Sequence, residues 1–357
     1  MGSQHWRRWF ALLLSFLWNL QSTSGAIIYV NSNSNTSISE CGLTLLTACS
    51  NIAAAFERAS SYDIIEIQPG FYSGIGNENL DPQNISKVGL SLLGNGTSNS
   101  IIIQCVNENR FLHSENNFLI RIENVSINNC TALVATIRNI GNGGALSFSD
   151  SSLNVIIRNV IFLGNRARSG GAILVTSGSL SIISCSFLDN QAGYWGGAIS
   201  SVRSGITVID STFSGNSVDG ELIVDPNLQL NTEEAGRGGA IHAYGGARMT
   251  ISGTSFFFNS GQVAGGALFA KIVSGLDITN CYFQKNFILG TGLCYSEDAC
   301  DVRGGGIFLS DVALTLANST FLGNEAITQD LSQVLTLFDF FHSIFLVCSG
   351  RCYCFLK

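Results

Sequence analysis

Any chemistry in this chain has to come from few side chains. Of its 357 residues 12% are charged, and four are histidines. Asp150, Asp189, Asp210 and Asp277 stand apart from one another among apolar and small residues, which is poor material for paired acid–base work. His5 and His342 lie towards the two ends. His113 and His242 have no patterned partner, and His242, after Ala240-Ile241, reads as an exposed strand residue. No Cys-x-x-Cys pair or histidine cluster has zinc spacing, and Cys352-Tyr-Cys354 alone is not a site. The acids gather in two stretches. Asp219, Glu221, Asp225, Glu233 and Glu234 fall in one; Glu297, Asp298 and Asp301 fall in the other. Carboxylates at that density suit Ca²⁺ or a cationic partner, and equally a solvated surface insertion. No catalytic residue is assigned, and no cofactor other than Ca²⁺.

What positions those stretches is an internal repeat. One half is Phe-x-x-Asn: Phe162 with Asn165, Phe187 with Asn190, Phe213 with Asn216, Phe256 with Asn259, Phe283 with Asn286, and Phe321 with Asn324. The other half is a glycine pair before Ala-Ile, Ala-Leu or Gly-Ile: Gly170-Gly171, Gly196-Gly197, Gly238-Gly239, Gly265-Gly266 and Gly304-Gly305, with an earlier copy at Gly143-Gly144. Successive pairs are 27, 26, 42, 27 and 39 residues apart. A base period of that length fits one coil of a parallel β-helix. Glycine supplies the corner, and Phe stacks on its neighbours in successive coils. Asn is expected to occupy a left-handed corner while its amide bonds to the Asn above and below. The two long steps place insertions at about 217–236 and 287–303, both between Asn and Gly-Gly. They should project from one edge, with one regular coil between their parent coils.

The alternation of Phe-x-x-Asn with Gly-Gly-Ala-Ile/Leu over residues 140–324 resembles the repeat of polymorphic outer membrane proteins, first recognised in chlamydial adhesin-like autotransporters. The resemblance implies an all-β fold, a right-handed parallel β-helix of the pectin-lyase-like class, displayed at a cell surface. Those proteins also carry a C-terminal β-barrel, and nothing after Asn324 has the length or alternation for one. The leading expectation is a non-catalytic scaffold presenting loops to an extracellular protein or glycan. The alternative is a carbohydrate-active enzyme, a polysaccharide lyase or glycoside hydrolase. The Gly-His-Gly and Arg-x-Lys motifs of polygalacturonases are absent.

The ends and the cysteines place the chain in a compartment. Arg7-Arg8, the apolar run Trp9 to Leu20 and Thr23-Ser24-Gly25 read as a signal peptide over residues 1–25, so the product is expected outside the cell. The net charge is −7, and losing Arg7 and Arg8 makes it more negative, which argues against nucleic acid. Residues 26–330 form the β-helix, with a cap over 26–75 that includes a helix at 51–60 and Ser50 as its N-cap. From Ala26 to Asp330 about ten to twelve coils fit. Eleven cysteines permit disulfides. Cys41–Cys49 is the expected bond, two free thiols being the alternative, and Cys294 and Cys300 could pair. Cys130, Cys185 and Cys281 are read as one repeat phase, as buried free thiols. Six Asn-x-Ser/Thr triplets begin at Asn35, Asn84, Asn95, Asn124, Asn129 and Asn318. Residues 331–357 break the pattern. They read as a cap, as a membrane-associating anchor, or as the end of a truncated or misread sequence, which is favoured because the repeat stops mid-coil.

Overall fold

The computed structural model describes residues 25–327 and 354–356, apart from 38–39, 82–88, 107–108, 116–118, 133–134, 137–138, 141, 151, 220–234 and 290–303. Short strands, all of two to five residues except two of eleven, alternate with tight corners, and each regular coil contributes to three sheets. The longest ladder stacks ten parallel strands: Ile27–Val30, Ile64–Ile67, Leu90–Gly94, Leu119–Glu123, Asn154–Arg158, Ile173–Ile183, Ile199–Ile209, Ile241–Tyr244, Leu268–Lys271 and Ile307–Ser310. That gives ten rungs. A second sheet of nine strands carries the repeat phenylalanines, and a third sheet of seven carries the residues after the repeat asparagines. Within the first sheet Cys354–Leu356 runs antiparallel to Ile307–Ser310.

The repeat residues do what their types dictate. Phe162, Phe187, Phe213, Phe256, Phe283 and Phe321 form one column with ring centroids 4.6–5.0 Å apart and planes within 11°. The spacing is the inter-strand distance, so each ring lies offset on the next inside the coil. Beside it runs an amide column. Each Asn Nδ2 donates to the Oδ1 of the Asn one rung on, at 2.8–2.9 Å, from Asn165 through Asn190, Asn216, Asn259 and Asn286 to Asn324. The same nitrogen donates to a carbonyl one rung back, Phe162 O in the case of Asn190. The Asn backbone is not left-handed. That conformation falls on the preceding residue, Gly164, Asp189, Gly215, Phe258, Lys285 or Gly323, with φ between 51° and 66°. The corner turns one residue early, which drives the Asn side chain inward rather than leaving it at the bend.

The glycine pair divides its work. The first glycine takes positive φ, 62° at Gly196 and 64° at Gly170. The second does not, but a Cβ on Gly197 would overlap the carbonyl oxygen of Gly239 and the backbone of Ser217. Here the requirement is close approach between neighbouring rungs.

The N-terminal cap is a helix, α1 (Ile52–Arg58), shorter than expected. Its N-cap is Asn51, whose side chain accepts from Ala54 N at 2.9 Å, so Ser50 is one residue too early. Ile52, Ala54, Ala55 and Phe56 are buried where the first rung has no neighbour. A Cys41–Cys49 disulfide closes the adjacent loop. Cys130 differs from expectation: it is bonded to Cys105, and it does not share the phase of Cys185 and Cys281. Ile127 pairs with Phe162, so Ile127-Asn-Asn-Cys130 is an early Phe-x-x-Asn with Cys in the Asn position. Accordingly Cys130 N donates to Asn165 Oδ1 at 2.9 Å, at the head of the amide column.

Candidate functional site

The two insertions leave the third sheet. Ser217–Val218, Ser260–Gly261 and Phe287–Leu289 are consecutive strands of that sheet, and only the middle one leads straight to its glycine pair. The insertions therefore share one edge with a regular rung between them. Asp219 is at the first stem; its N–H donates to Ala192 O at 2.8 Å and its Oδ2 accepts from Gln191 Nε2 at 3.4 Å. Glu221, Asp225, Glu233, Glu234, Glu297, Asp298 and Asp301 lie outside the described residues, as do Cys294 and Cys300. Among the described residues there is no group of three or more His, Cys, Asp or Glu that could hold a metal ion.

Beside that edge, the outward positions of the first sheet form a column that the sequence reading missed. Leu174, Ser200, His242, Phe269 and Phe308 are register partners on successive strands. His242 is 4% exposed, not the exposed residue expected. Its ring is stacked between Trp195 at 5.5 Å and Phe269 at 5.1 Å, and Phe308 continues the stack at 5.2 Å. Arg237, the residue on which the first insertion returns, lies over Phe269 at 5.2 Å. Arg168 lies over Tyr194 at 4.8 Å, and Tyr194 abuts Trp195. Alternation alone marks these positions as solvent-facing. The signal that marks them as covered is the choice of Phe at two consecutive outward positions in the repeat.

Ser200 Oγ and His242 Nδ1 are buried and have no hydrogen-bond partner among the described residues. Burial, reinforced by the Arg237 guanidinium, pushes the His242 pKa down to about 3. The folded imidazole therefore stays neutral where an unfolded one, with the ordinary value of 6.5, takes up a proton. The unfolded state binds more protons between those values, so stability falls as pH falls through this window. Between pH 6.5 and pH 4 the loss from this residue is on the order of 3 kcal/mol. His242→Phe extends the column and removes the titration. Urea midpoints at the two pH values should differ markedly less in that variant than in the parent; an unchanged difference would refute the assignment.

The two thiols at the corner between the first and second sheets are structural. Cys185 N donates to Ser211 Oγ and Cys281 N to Ser319 Oγ, both at 3.1 Å, so the cysteines share one column with the small polar residues Ser211, Thr254 and Ser319. Burial pushes the Cys185 thiol up to about 11 and raises that of Cys281. Neither offers a thiolate near neutral pH. Maleimide should leave both unmodified in the native protein at pH 7.5 and label both in urea. Rapid native labelling would show that the corner opens.

Stacked parallel rungs, internal Phe and Asn columns and a capping helix define a parallel β-helix. The family described as "Right handed beta helix region" matches residues 154–351, over half of the chain, and the chain belongs to that family. It is 31% identical over 184 residues to the Metabotropic glutamate receptor-like protein R of Dictyostelium discoideum, covering 47% of this chain and 11% of that protein. It is 30% identical over 157 residues to the Probable outer membrane protein pmp7 of Chlamydia pneumoniae, covering 40% of this chain and 16% of that protein. The matched segments thus amount to between a tenth and a sixth of these relatives. The similarity to a polymorphic outer membrane protein agrees with the repeat. A crystal structure of the pectate lyase Pel9A aligns over 91% of this chain and 90% of its own, with TM-score 0.31 and 11% identity. The fold assignment rests on the family match and the strand order, not on that alignment.

Proposed function

We propose that the chain is a non-catalytic, exported β-helical scaffold that presents the insertions at 217–236 and 287–303 to a protein or glycan partner at a cell surface. The observation that supports this reading is the shared edge: from Gly143 onward the chain departs from its base period twice, at the same corner, on either side of one regular rung. Insertions tolerated at random would be scattered among the three corners. The similarity to a chlamydial outer membrane protein supports the surface placement. The acids Asp219, Glu221, Asp225, Glu297, Asp298 and Asp301 supply the contact charge, for a cationic partner or for Ca²⁺.

The experiment compares the parent with a chain in which both insertions are replaced by short Gly-Ser links, and with one in which the six acids are alanine. Each is titrated on a glycan array, on intact cells and with Ca²⁺. Loss of at least tenfold in affinity in both variants is the expected result. Equal binding by all three chains sinks the reading. Reproducible cleavage of polygalacturonate or another glycan by the parent would make the protein a carbohydrate-active enzyme instead.

A further inference from the structure

The six Asn-x-Ser/Thr triplets are not used by anything described above. We infer that the protein carries N-linked glycans at Asn35, Asn129 and Asn318, and that the edge bearing the two insertions is left bare. This rests on the export reading. In the transfer, the side-chain amide nitrogen attacks the anomeric carbon of a lipid-diphosphate-linked oligosaccharide. A C–N bond forms, the C–O bond to the diphosphate breaks, the lipid diphosphate leaves and the amide yields one proton to a base. Transfer acts on the unfolded chain, so the finished rod decides which glycans it tolerates. A tolerated glycan needs an outward Nδ2 that the rod does not use.

Asn35, Asn129 and Asn318 are exposed. Asn129 and Asn318 sit in corners at φ 55° and 48°. The Oδ1 of Asn129 lies 2.7 Å from where a Cβ on Gly164 would be, so the glycine on the next rung makes room for this side chain itself. Asn124 is the contrasting case. It is half-buried, its Nδ2 donates to Gly94 O at 3.3 Å, and its Oδ1 accepts from Asn159 Nδ2 at 3.1 Å. A sugar on that nitrogen would displace a contact between rungs. Asn95 is exposed, but its Nδ2 is held between Glu66 Oε1 at 2.9 Å and Gln68 Oε1 at 3.3 Å. Between residues 130 and 317 there are twelve asparagines, and none has Ser or Thr two residues on. That stretch includes both insertions. Glycans would therefore clothe the cap and two of the corners while the third corner meets its partner.

The test uses the full protein recovered from the cells that make it. Peptide-N-glycosidase in heavy-oxygen water converts each glycosylated Asn to a labelled Asp, which peptide mass spectrometry locates. The expected result is label at 35, 129 and 318, none at 124, and one glycan fewer on a gel for each of Asn129→Gln and Asn318→Gln. An unlabelled chain, or label at 124 with none at 129 and 318, overturns the inference. N-terminal sequencing of the same sample separates the two failures. A chain that begins at Ala26 but carries no glycan rejects the glycans alone; an unprocessed chain retained in the cytoplasm rejects export itself.

Discussion

Gly197→Ala should prevent the rod from forming or destabilise it by about 4 kcal/mol or more, although one methyl group is a small change. The glycine does not need a positive φ, so the usual conformational reason is absent. What the methyl meets is backbone on the next rung, the carbonyl of Gly239 and the chain at Ser217. Backbone held by ladders on both sides cannot step aside the way the end of a side chain can. The control is Gly205→Ala in the strand that follows, Ile199–Ile209. There the nearest atoms to an added Cβ are Ala247 Cβ at 3.7 Å and Arg248 O at 3.8 Å, an ordinary contact distance. Gly205→Ala should stay within about 0.5 kcal/mol of the parent or gain slightly, since alanine loses less backbone entropy. Thermal melts of the two variants beside the parent check the contrast. Equal melting temperatures would show that the rungs are not in close register at the glycine corner.

Asn216→Ala should cost about 4 kcal/mol. Asn216 is fully buried, and its Oδ1 accepts from both the backbone N of Asn190 at 3.1 Å and the Nδ2 of Asn190 at 2.9 Å. Its own Nδ2 donates to Phe187 O and to Asn259 Oδ1, both at 2.9 Å. Alanine leaves two donors on one side and two acceptors on the other short of a partner in a dry interior. Each unmet buried group costs about 1–3 kcal/mol, with partial relief where a second bond survives. Asn154→Ala is the comparison. Asn154 is exposed, and among the described residues its side chain bonds only to Ser179 Oγ, so its loss should be under about 0.5 kcal/mol. Denaturant midpoints decide between them. An Asn216→Ala midpoint as mild as that of Asn154→Ala would mean that the amide column contributes order without stability.

Most of the coil was legible because repetition exposes what each position needs. A side chain that must stack on its own copy one rung away recurs at the period of the coil, and Phe187 and Asn190 recur in that way. The inward-facing column Ile173, Ile199, Ile241 and Leu268 was likewise readable from the residues after each glycine pair. Two kinds of feature were not. A corner shifts its left-handed residue by one position without changing the spacing, so Asp189 rather than Asn190 holds the positive φ. The sequence pattern puts Cys130 at the wrong corner because Ile127 replaces Phe and hides the tetrapeptide to which it belongs. The outward column of Ser200, His242 and Phe269 was hidden for a different reason. Whether an outward side chain is covered depends on Trp195 and Arg237, which reach it from a neighbouring strand and not from any local pattern.

The bond between Cys105 and Cys130 ties two successive rungs, at the rung where the amide column begins. Its consequence appears under tension. A rod of this kind pulled by its ends surrenders rung by rung from the outside, a few ladder bonds at a time. Peeling that starts at the N-terminal cap proceeds to Cys105 and then meets a shortcut, because the sequence separation of 25 residues spanned by the disulfide cannot lengthen. At roughly 3.4 Å for each extended residue, some 80 Å of slack is withheld from the pulled chain. The force passes directly to the rung of Asn165, where the buried columns start. Pulled from its capped end, the rod should therefore yield as far as Cys105 and stiffen before the part that bears the insertions.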